Sequence, residues 1–383
     1  FNRVTSAGDI TTGSDHYSGI YAATYETGGA VINQTGGTIH TMGDASAGIM
    51  VEHAGGFIPN SQLGQIADIT ISGSILTEGG ASSAASGGRD IYANGILISA
   101  VEANPGAILN GGTNPTATIE ITETGRIVTQ NSSAITTVKE GSVDTDTLVP
   151  LPIDFTVTIA GAVERSNATD IALDLWDGDD MVTIAATGSV VGAVLTGNDD
   201  DLVTNAGSIN GAVDLGAGND TIVLLPTYSV TGLIDGGAGN DSFILDGAAG
   251  TSGQIALLQS NTARATNFED IRKRGAGMWT ITGDDVPAGL PLPTGTIEAG
   301  TLRVYANIPG LDLVVQPGAR LSGTASIGSV TLTGGILSPG ADESSAEPDG
   351  SGQAIAAAPA ADAPSAPEAA ASVAAVAAAP VAA

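Results

Sequence analysis

The chain has 383 residues, including 54 Gly and no Cys, and its 11 Lys+Arg against 41 Asp+Glu give a formal net charge of −30. A Gly content this high without a strict Gly-X-Y period excludes collagen, and the charge argues against nucleic acid as a partner, because nucleic acid is itself an anion. Aromatic residues make up only 3% of the chain, so Ala, Val, Ile, Leu and Thr must fill the interior in place of large rings.

The N-terminal part of the chain repeats two short phrases. The first is an Ile-x-Thr triplet closed by Gly or Asn, and its copies begin at Ile10, Ile39, Ile75 and Ile127. The second is a small residue followed by Ile, and its copies end at Ile20, Ile49, Ile96 and Ile135. Alternation of period two, interrupted by turn residues, is typical of short strands joined by tight turns. We therefore predict a β-solenoid with loops of variable length over residues 1–170.

A tighter repeat follows over residues 171–250. Four acidic residues each lie two positions before an apolar residue, at spacings of 20, 20 and 21: Asp180, Asp200, Asp220 and Asp241. Coils of about 20 residues, stacked at the sheet spacing of about 4.8 Å, build a parallel β-helix. The fold predicted for this all-β chain is a right-handed parallel β-helix (β-solenoid) with a low-complexity tail.

The last segment, residues 341–383, differs sharply in composition from the rest. It contains no Lys, Arg or aromatic residue and is dominated by Ala, Pro and acidic residues. This composition predicts a linker or a disordered tail. The stretch 369–379 is rich in Ala, which has the highest helix propensity, but it lacks an amphipathic face that could anchor a helix.

Residues 251–340 carry a recognisable set of motifs. Gly277-Met278-Trp279-Thr280, then Ala299-Gly300-Thr301-Leu302, then Val315-Gln316-Pro317-Gly318 resemble the passenger-associated β-strand repeat of bacterial autotransporters. The resemblance implies a chain secreted to the cell surface of a Gram-negative bacterium, on the outer-membrane exterior. It also implies an outer-membrane barrel elsewhere in the precursor, and the start at Phe1 without a signal-peptide pattern predicts a processed or excised piece. The Ala/Pro-rich tail departs from the family, in which further strands follow.

The turns of the second repeat are candidate calcium sites. Residues 236–244 fit the nonapeptide G-G-x-G-x-D-x-U-x of the haemolysin-type β-roll, and the preceding turn lacks only its first Gly. Hard oxygen ligands from stacked turns suit Ca²⁺. The candidate ligand positions are Asp180, Asp200, Gly216, Gly218, Asp220, Gly237, Gly239 and Asp241. The alternative is a set of plain turns, in which Gly supplies positive φ and Asp bonds the backbone.

No catalytic arrangement stands out in the sequence. There is no Gly-x-Ser-x-Gly elbow, and no two His have metal-ligand spacing. We therefore expect a non-enzymatic surface passenger, either an adhesin that binds an unidentified surface glycan or protein or a structural rod that displays loops. One alternative is a filament or surface-layer protein whose copies associate end to end. Another is a polysaccharide-degrading enzyme using Glu298, Arg303 and Asp312.

Overall fold

The computed structural model describes residues 2–25, 28–55, 64–80, 93–102, 114–137, 149–260, 262–286, 294–340 and 371–374. Within these ranges the chain forms β-strands and no helix, and most strand pairs are parallel. No helix in the described part of the chain is long and apolar enough to cross a bilayer. The predicted all-β parallel solenoid is confirmed.

The chain forms two compact units, Phe1–Asp241 and Ser242–Ala383. The boundary falls inside the segment 171–250 that the repeat spacing marks as regular coils.

Unit 1 consists of three parallel sheets, and each coil contributes one strand to each sheet. Sheet 1 contains Asn2–Ser6, Ala30–Gln34, Gln65–Ile71, Thr116–Ile121, Asp154–Ile159, Met181–Ile184, Leu202–Asn205 and Thr221–Leu224. Sheet 2 contains Ile10–Thr12, Thr38–Thr41, Ser74–Thr77, Arg126–Thr129, Ala162–Arg165, Ser189–Val191, Ser208–Asn210 and Ser229–Val230. Sheet 3 contains Ile20–Tyr25, Ile49–Gly55, Ile96–Glu102, Ile135–Thr137, Ile171–Asp174, Ala193–Asn198, Val213–Gly218 and Ile234–Asp235. Two short strands flank sheet 3, Val149–Pro150 and Ala238–Gly239.

The core of unit 1 is a set of aliphatic columns. In sheet 1, Ile32 lies in register with Ile69, and Ile69 with Ile119. All three side chains are fully buried. Successive side chains on a strand point to opposite faces, so one column of slim residues faces inward while its neighbours face solvent. This explains why few aromatic residues are needed.

The Ile-x-Thr phrase is confirmed as a strand followed by a capped turn. Ile39, Ile75 and Ile127 form one register column, and the Thr two positions later ends each strand. The Oγ1 of Thr41 donates to the Ser46 carbonyl (2.8 Å), and that of Thr77 donates to the Ala93 carbonyl (2.7 Å). Both hydroxyls are buried and satisfied. The Thr therefore stabilises the turn, whereas the Ile packs in the core.

The second phrase, a small residue followed by Ile, starts the strands of sheet 3. Ile20, Ile49, Ile96 and Ile135 share one register column. Gly48 precedes Ile49, and a Cβ on Gly48 would overlap the Cγ2 of Ile75 on the next coil. The same relation joins Gly19 to Ile39 and Gly95 to Ile127. A residue without a side chain is needed here because the Ile of one coil occupies the space.

Unit 2 contains two further parallel sheets and one edge strand from the tail. Sheet 4 contains Ser242–Leu245, Asp270–Lys273, Thr294–Ile297, Asp312–Val315, Ser329–Leu332 and, antiparallel to the last of these, Ala371–Ala374. Sheet 5 contains Ser252–Ala256, Met278–Thr282, Thr301–Val304, Arg320–Gly323 and Ile336–Pro339. Three short strands complete the unit, Leu258–Gln259, Thr262–Ala263 and Ala265–Thr266.

The first two motifs of residues 251–340 lie on the sheet 5 strands Met278–Thr282 and Thr301–Val304, whereas the third begins at the end of the sheet 4 strand Asp312–Val315 and continues into a turn. Trp279 is fully buried, and its Nε1 donates to the Asp246 carbonyl (2.9 Å). The ring occupies the space that a side chain at Gly253 would need. In the tail, residues 371–374 form a strand rather than a turn of helix, and the remaining residues of 341–383 lie outside the described part.

Candidate functional site

The predicted calcium turns form one stack at the ends of four strands of sheet 3. We call residues 176–180, 197–201, 216–220 and 237–241 the turn stack. Gly197 pairs with Gly216 at the start of the turn, and Met181, Leu202 and Thr221 pair after its end. Each turn position therefore lies above the same position of the neighbouring coil.

The register corrects one of the predicted acidic positions. The residues directly before Met181, Leu202 and Thr221 are Asp180, Asp201 and Asp220, so Asp201 rather than Asp200 belongs to the row. Asp180, Asp201, Asp220 and Asp241 are each 1–3% exposed, and we call them the inner row. Asp200 is exposed. Asp200 lies two positions before the apolar Leu202, which is why the sequence spacing favours it, whereas the core position of that strand is the fully buried Val203.

A signal for Asp201 is present in the sequence. Val182-Thr183 and Val203-Thr204 are matching dipeptides, and they pair in the structure. Alignment on these dipeptides instead of on Leu202 selects the pair Asp180 and Asp201.

The inner row is a hydrogen-bonded ladder. The N–H of Phe155 donates to Oδ1 of Asp180, the N–H of Asp180 to Oδ1 of Asp201, and so on through Asp220 to Asp241, each at 2.8 Å. Each carboxyl group thus accepts a backbone N–H from the preceding coil, which would otherwise be buried without a partner. The second oxygen, Oδ2, accepts no hydrogen bond in Asp180 and Asp220.

Burial sets the protonation of this ladder. Desolvation raises the pKa of Asp180 to about 9, although the bond from Phe155 lowers it and the nearby Asp201, Asp154 and Asp179 raise it further. Desolvation likewise raises the pKa of Asp201 and of Asp220, each to about 7; hydrogen bonds lower both values, and neighbouring carboxylates raise them. The neutral form of Asp180 is therefore favoured at neutral pH.

An outer row runs beside the inner one and faces solvent. The Oδ1 of Asp179 accepts the N–H of Asp200 (3.1 Å), and the Oδ1 of Asp200 accepts the N–H of Asn219 (2.7 Å). Asp179, Asp200 and Asn219 are all exposed. These bonds run in the opposite direction to those of the inner row, because the N–H of the later coil donates to the carboxylate of the earlier coil. Water reaches the side chains of this outer row.

The glycines of the turn stack are required for steric reasons. Gly216 and Gly237 have φ of 101° and 92°, and a Cβ on either would overlap a carbonyl oxygen of the preceding coil. Gly218 and Gly239 stack in the same way against Asp199 and Gly218. Backbone lies directly on backbone along this edge, which only glycine permits. The glycine pattern therefore follows from coil stacking without any ligand.

The residues present do not fit a calcium ligand set. Calcium binding needs several charged or carbonyl oxygens directed at one point. The inner carboxyl groups are buried, and the Oδ1 of each already accepts a backbone N–H. The raised pKa of Asp180 also favours the neutral form of that carboxyl group at neutral pH. In the described part of the chain no group of three or more His, Asp or Glu side chains is placed to hold a metal ion. Calcium binding stays a prediction of the sequence pattern.

The three residues considered for polysaccharide chemistry lie in unit 2. Glu298 lies 3.9 Å from Arg272, and Asp312 accepts a hydrogen bond from the Ser329 hydroxyl (2.7 Å). Arg303 lies on the strand Thr301–Val304 of sheet 5, whereas Asp312 begins a strand of sheet 4. No general acid and base pair is evident from these contacts.

Comparison with known proteins returned no matching family model, no matching curated protein and no matching solved structure. The autotransporter resemblance therefore depends on the motifs quoted above, and the class of protein defined by the structure is the parallel β-solenoid.

Proposed function

We propose that this chain is a non-enzymatic, surface-exported passenger that displays inserted segments on a β-solenoid and acts as an adhesin. One observation carries the proposal. The bond from Thr41 to the Ser46 carbonyl spans 5 residues, and the equivalent bond from Thr77 to the Ala93 carbonyl spans 16. The coil therefore accepts eleven additional residues, which lie outside the described ranges, while its capped turn is preserved.

Insertion at turns suits a display scaffold. Each coil of a solenoid contacts only its neighbours, so an extra segment at a turn leaves the core unchanged. The number of residues per coil, counted between paired positions of sheet 2, varies in the same way. It is 52 from Ile75 to Ile127 but 19 from Val190 to Ile209. Function placed in such inserted segments needs no cleft in the core. The autotransporter motifs support export to the cell surface.

The test replaces the inserted segment by the shorter turn that the chain itself contains. Thr41 pairs with Thr77, so Gly80 corresponds to Asp44 in the turn that follows sheet 2. Exchanging residues 81–92 for one Gly therefore restores the 5-residue span of the preceding coil. A variant with residues 81–92 scrambled is the matched control for length and composition. Parent and variants are applied to a glycan array and to immobilised extracellular-matrix proteins.

We expect the parent to bind at least one surface, and both variants to lose that binding while keeping the parent's circular dichroism spectrum. Equal binding by all three proteins would show that another part of the chain is responsible for the binding. Absence of binding by the parent would contradict the adhesin proposal. New reducing or unsaturated sugar ends on acidic polysaccharides would favour the enzyme instead.

A self-assembling filament is the second candidate from the sequence. Electron microscopy of concentrated protein separates the two, because uniform fibres indicate end-to-end association and dispersed particles do not.

A further inference from the structure

The last parallel strand of sheet 4 has a neighbour on each side. Ser329–Leu332 pairs in parallel with Asp312–Val315 and antiparallel with Ala371–Ala374. The register places Ala371 opposite Leu332 and Ala374 opposite Ser329. The other strand pairs of sheets 4 and 5 in the described part of the chain are parallel, apart from an isolated antiparallel bridge between Gly323 and Gly340. The segment therefore does not continue the solenoid but returns across the edge of its last coil.

An open sheet edge presents unpaired N–H and C=O groups, on which a strand of another molecule can pair. The tail segment replaces that edge by one that is a poor template. The two strands have four residues each, but Pro367 and Pro380, neither of which can donate a ladder hydrogen bond, lie on either side of the tail strand in the sequence. The paired segment Ala371–Ala374 carries no charged residue, so its pairing with an acidic chain brings no like charges together.

We propose that Ala371–Ala374 is an intramolecular strap that closes the sheet edge at Ser329–Leu332 and keeps that edge from pairing with a second copy of the chain. Alanine has a low strand propensity. The backbone hydrogen bonds hold the strap, and it opens more readily than the parallel strands beneath it. The strap gives the tail a role beyond that of a linker.

Hydrogen–deuterium exchange on the 383-residue chain tests the strap. Val373→Pro removes a donor and fixes φ in the middle of the paired segment. Ala363→Pro is the matched control, because it adds a proline to the tail outside that segment. We expect peptides covering Ser329–Leu332 to exchange about tenfold faster in Val373→Pro and at the parental rate in Ala363→Pro. We also expect concentration-dependent dimers of Val373→Pro in sedimentation velocity.

Three results would overturn the proposal. Equal exchange in the parent and Val373→Pro would show that the tail does not cover the edge. Protection in the parent that disappears on dilution would assign the strand to a second copy. Faster exchange in a Val373→Pro variant that remains monomeric at every concentration would contradict the proposed role of the strap in preventing association with a second copy.

Discussion

At the scale of single residues, the inner row couples stability to pH. The carboxyl of Asp180 has a pKa of about 9 in the folded chain, against about 3.9 when unfolded. Between these values the folded chain holds a proton that the unfolded chain releases. Its contribution to stability is therefore complete below about pH 4 and is lost as the pH rises toward 9, by up to about 1.4 kcal/mol per unit.

We therefore predict that Asp180→Asn raises the melting temperature at pH 8 and flattens its rise between pH 8 and pH 5. The amide still accepts the Phe155 N–H but does not titrate. Asp200→Asn is the matched control, since Asp200 makes the same kind of bond in the exposed outer row. Differential scanning calorimetry across this pH range measures the effect, and equal pH profiles for both variants would contradict it.

The calcium prediction is also tested with single residues. The buried, hydrogen-bonded carboxyl groups lead us to expect no saturable heat when Ca²⁺ is titrated into the chain at pH 7.5. The control is the double variant Asp220→Ala with Asp241→Ala. A saturable heat that is present in the parent and absent in the double variant would contradict our interpretation and establish a calcium site in the turn stack.

Backbone stacking makes a separate prediction for Gly216. Gly216→Ala combines a positive φ with a Cβ that overlaps the Gly197 carbonyl. We expect a loss of about 2–4 kcal/mol, because left-handed backbone alone costs about 1–2 kcal/mol for a non-Gly residue. Gly8→Ala, where a Cβ meets nothing within 4 Å, should change the unfolding free energy by less than about 0.5 kcal/mol. Urea unfolding of both variants tests the contrast.

At the scale of elements, the buried threonines of sheet 2 hold each strand to its following turn. Thr77→Val keeps the shape but leaves the Ala93 carbonyl without its donor. We predict a loss of about 1–2 kcal/mol of unfolding free energy. Thr70→Val, on the outward face of sheet 1, is the control and should cost less than about 0.5 kcal/mol. A similar loss in both variants would mean that the cap contributes nothing specific.

The same elements indicate how much the sequence predicted. The Ile-x-Thr copies predicted strands of sheet 2, and the small-residue-Ile copies predicted strands of sheet 3, because period-two alternation is a local property. Asp201 was missed because Leu202 and Val203 are both apolar, and local pattern alone does not say which one faces the core. The strand in the tail could not be foreseen either, since Ala favours helix and the pairing partner lies about 40 residues away in sequence.

For the whole molecule, the stacking of coils predicts that stability tolerates a change in the length of the segments inserted at turns. Exchanging residues 81–92 for one Gly should shift the melting temperature by no more than about 2 °C, because the capped turn and register are kept. Deleting residues 93–95 as well is the contrast, since it removes the Ala93 carbonyl and the Gly beneath Ile127. Comparable melting temperatures for the two deletions would contradict the coil-by-coil account.

The repeats, the short strands and the aliphatic core of this chain are all predicted from its sequence, because they follow from composition and from the period of apolar residues. The contacts between coils are visible in the folded chain alone. The register buried Asp201 in place of Asp200, turned the inner carboxyl groups toward backbone N–H groups, and placed Ala371–Ala374 against Ser329–Leu332. Each depends on which residues of distant segments become neighbours, and local sequence preference does not encode this.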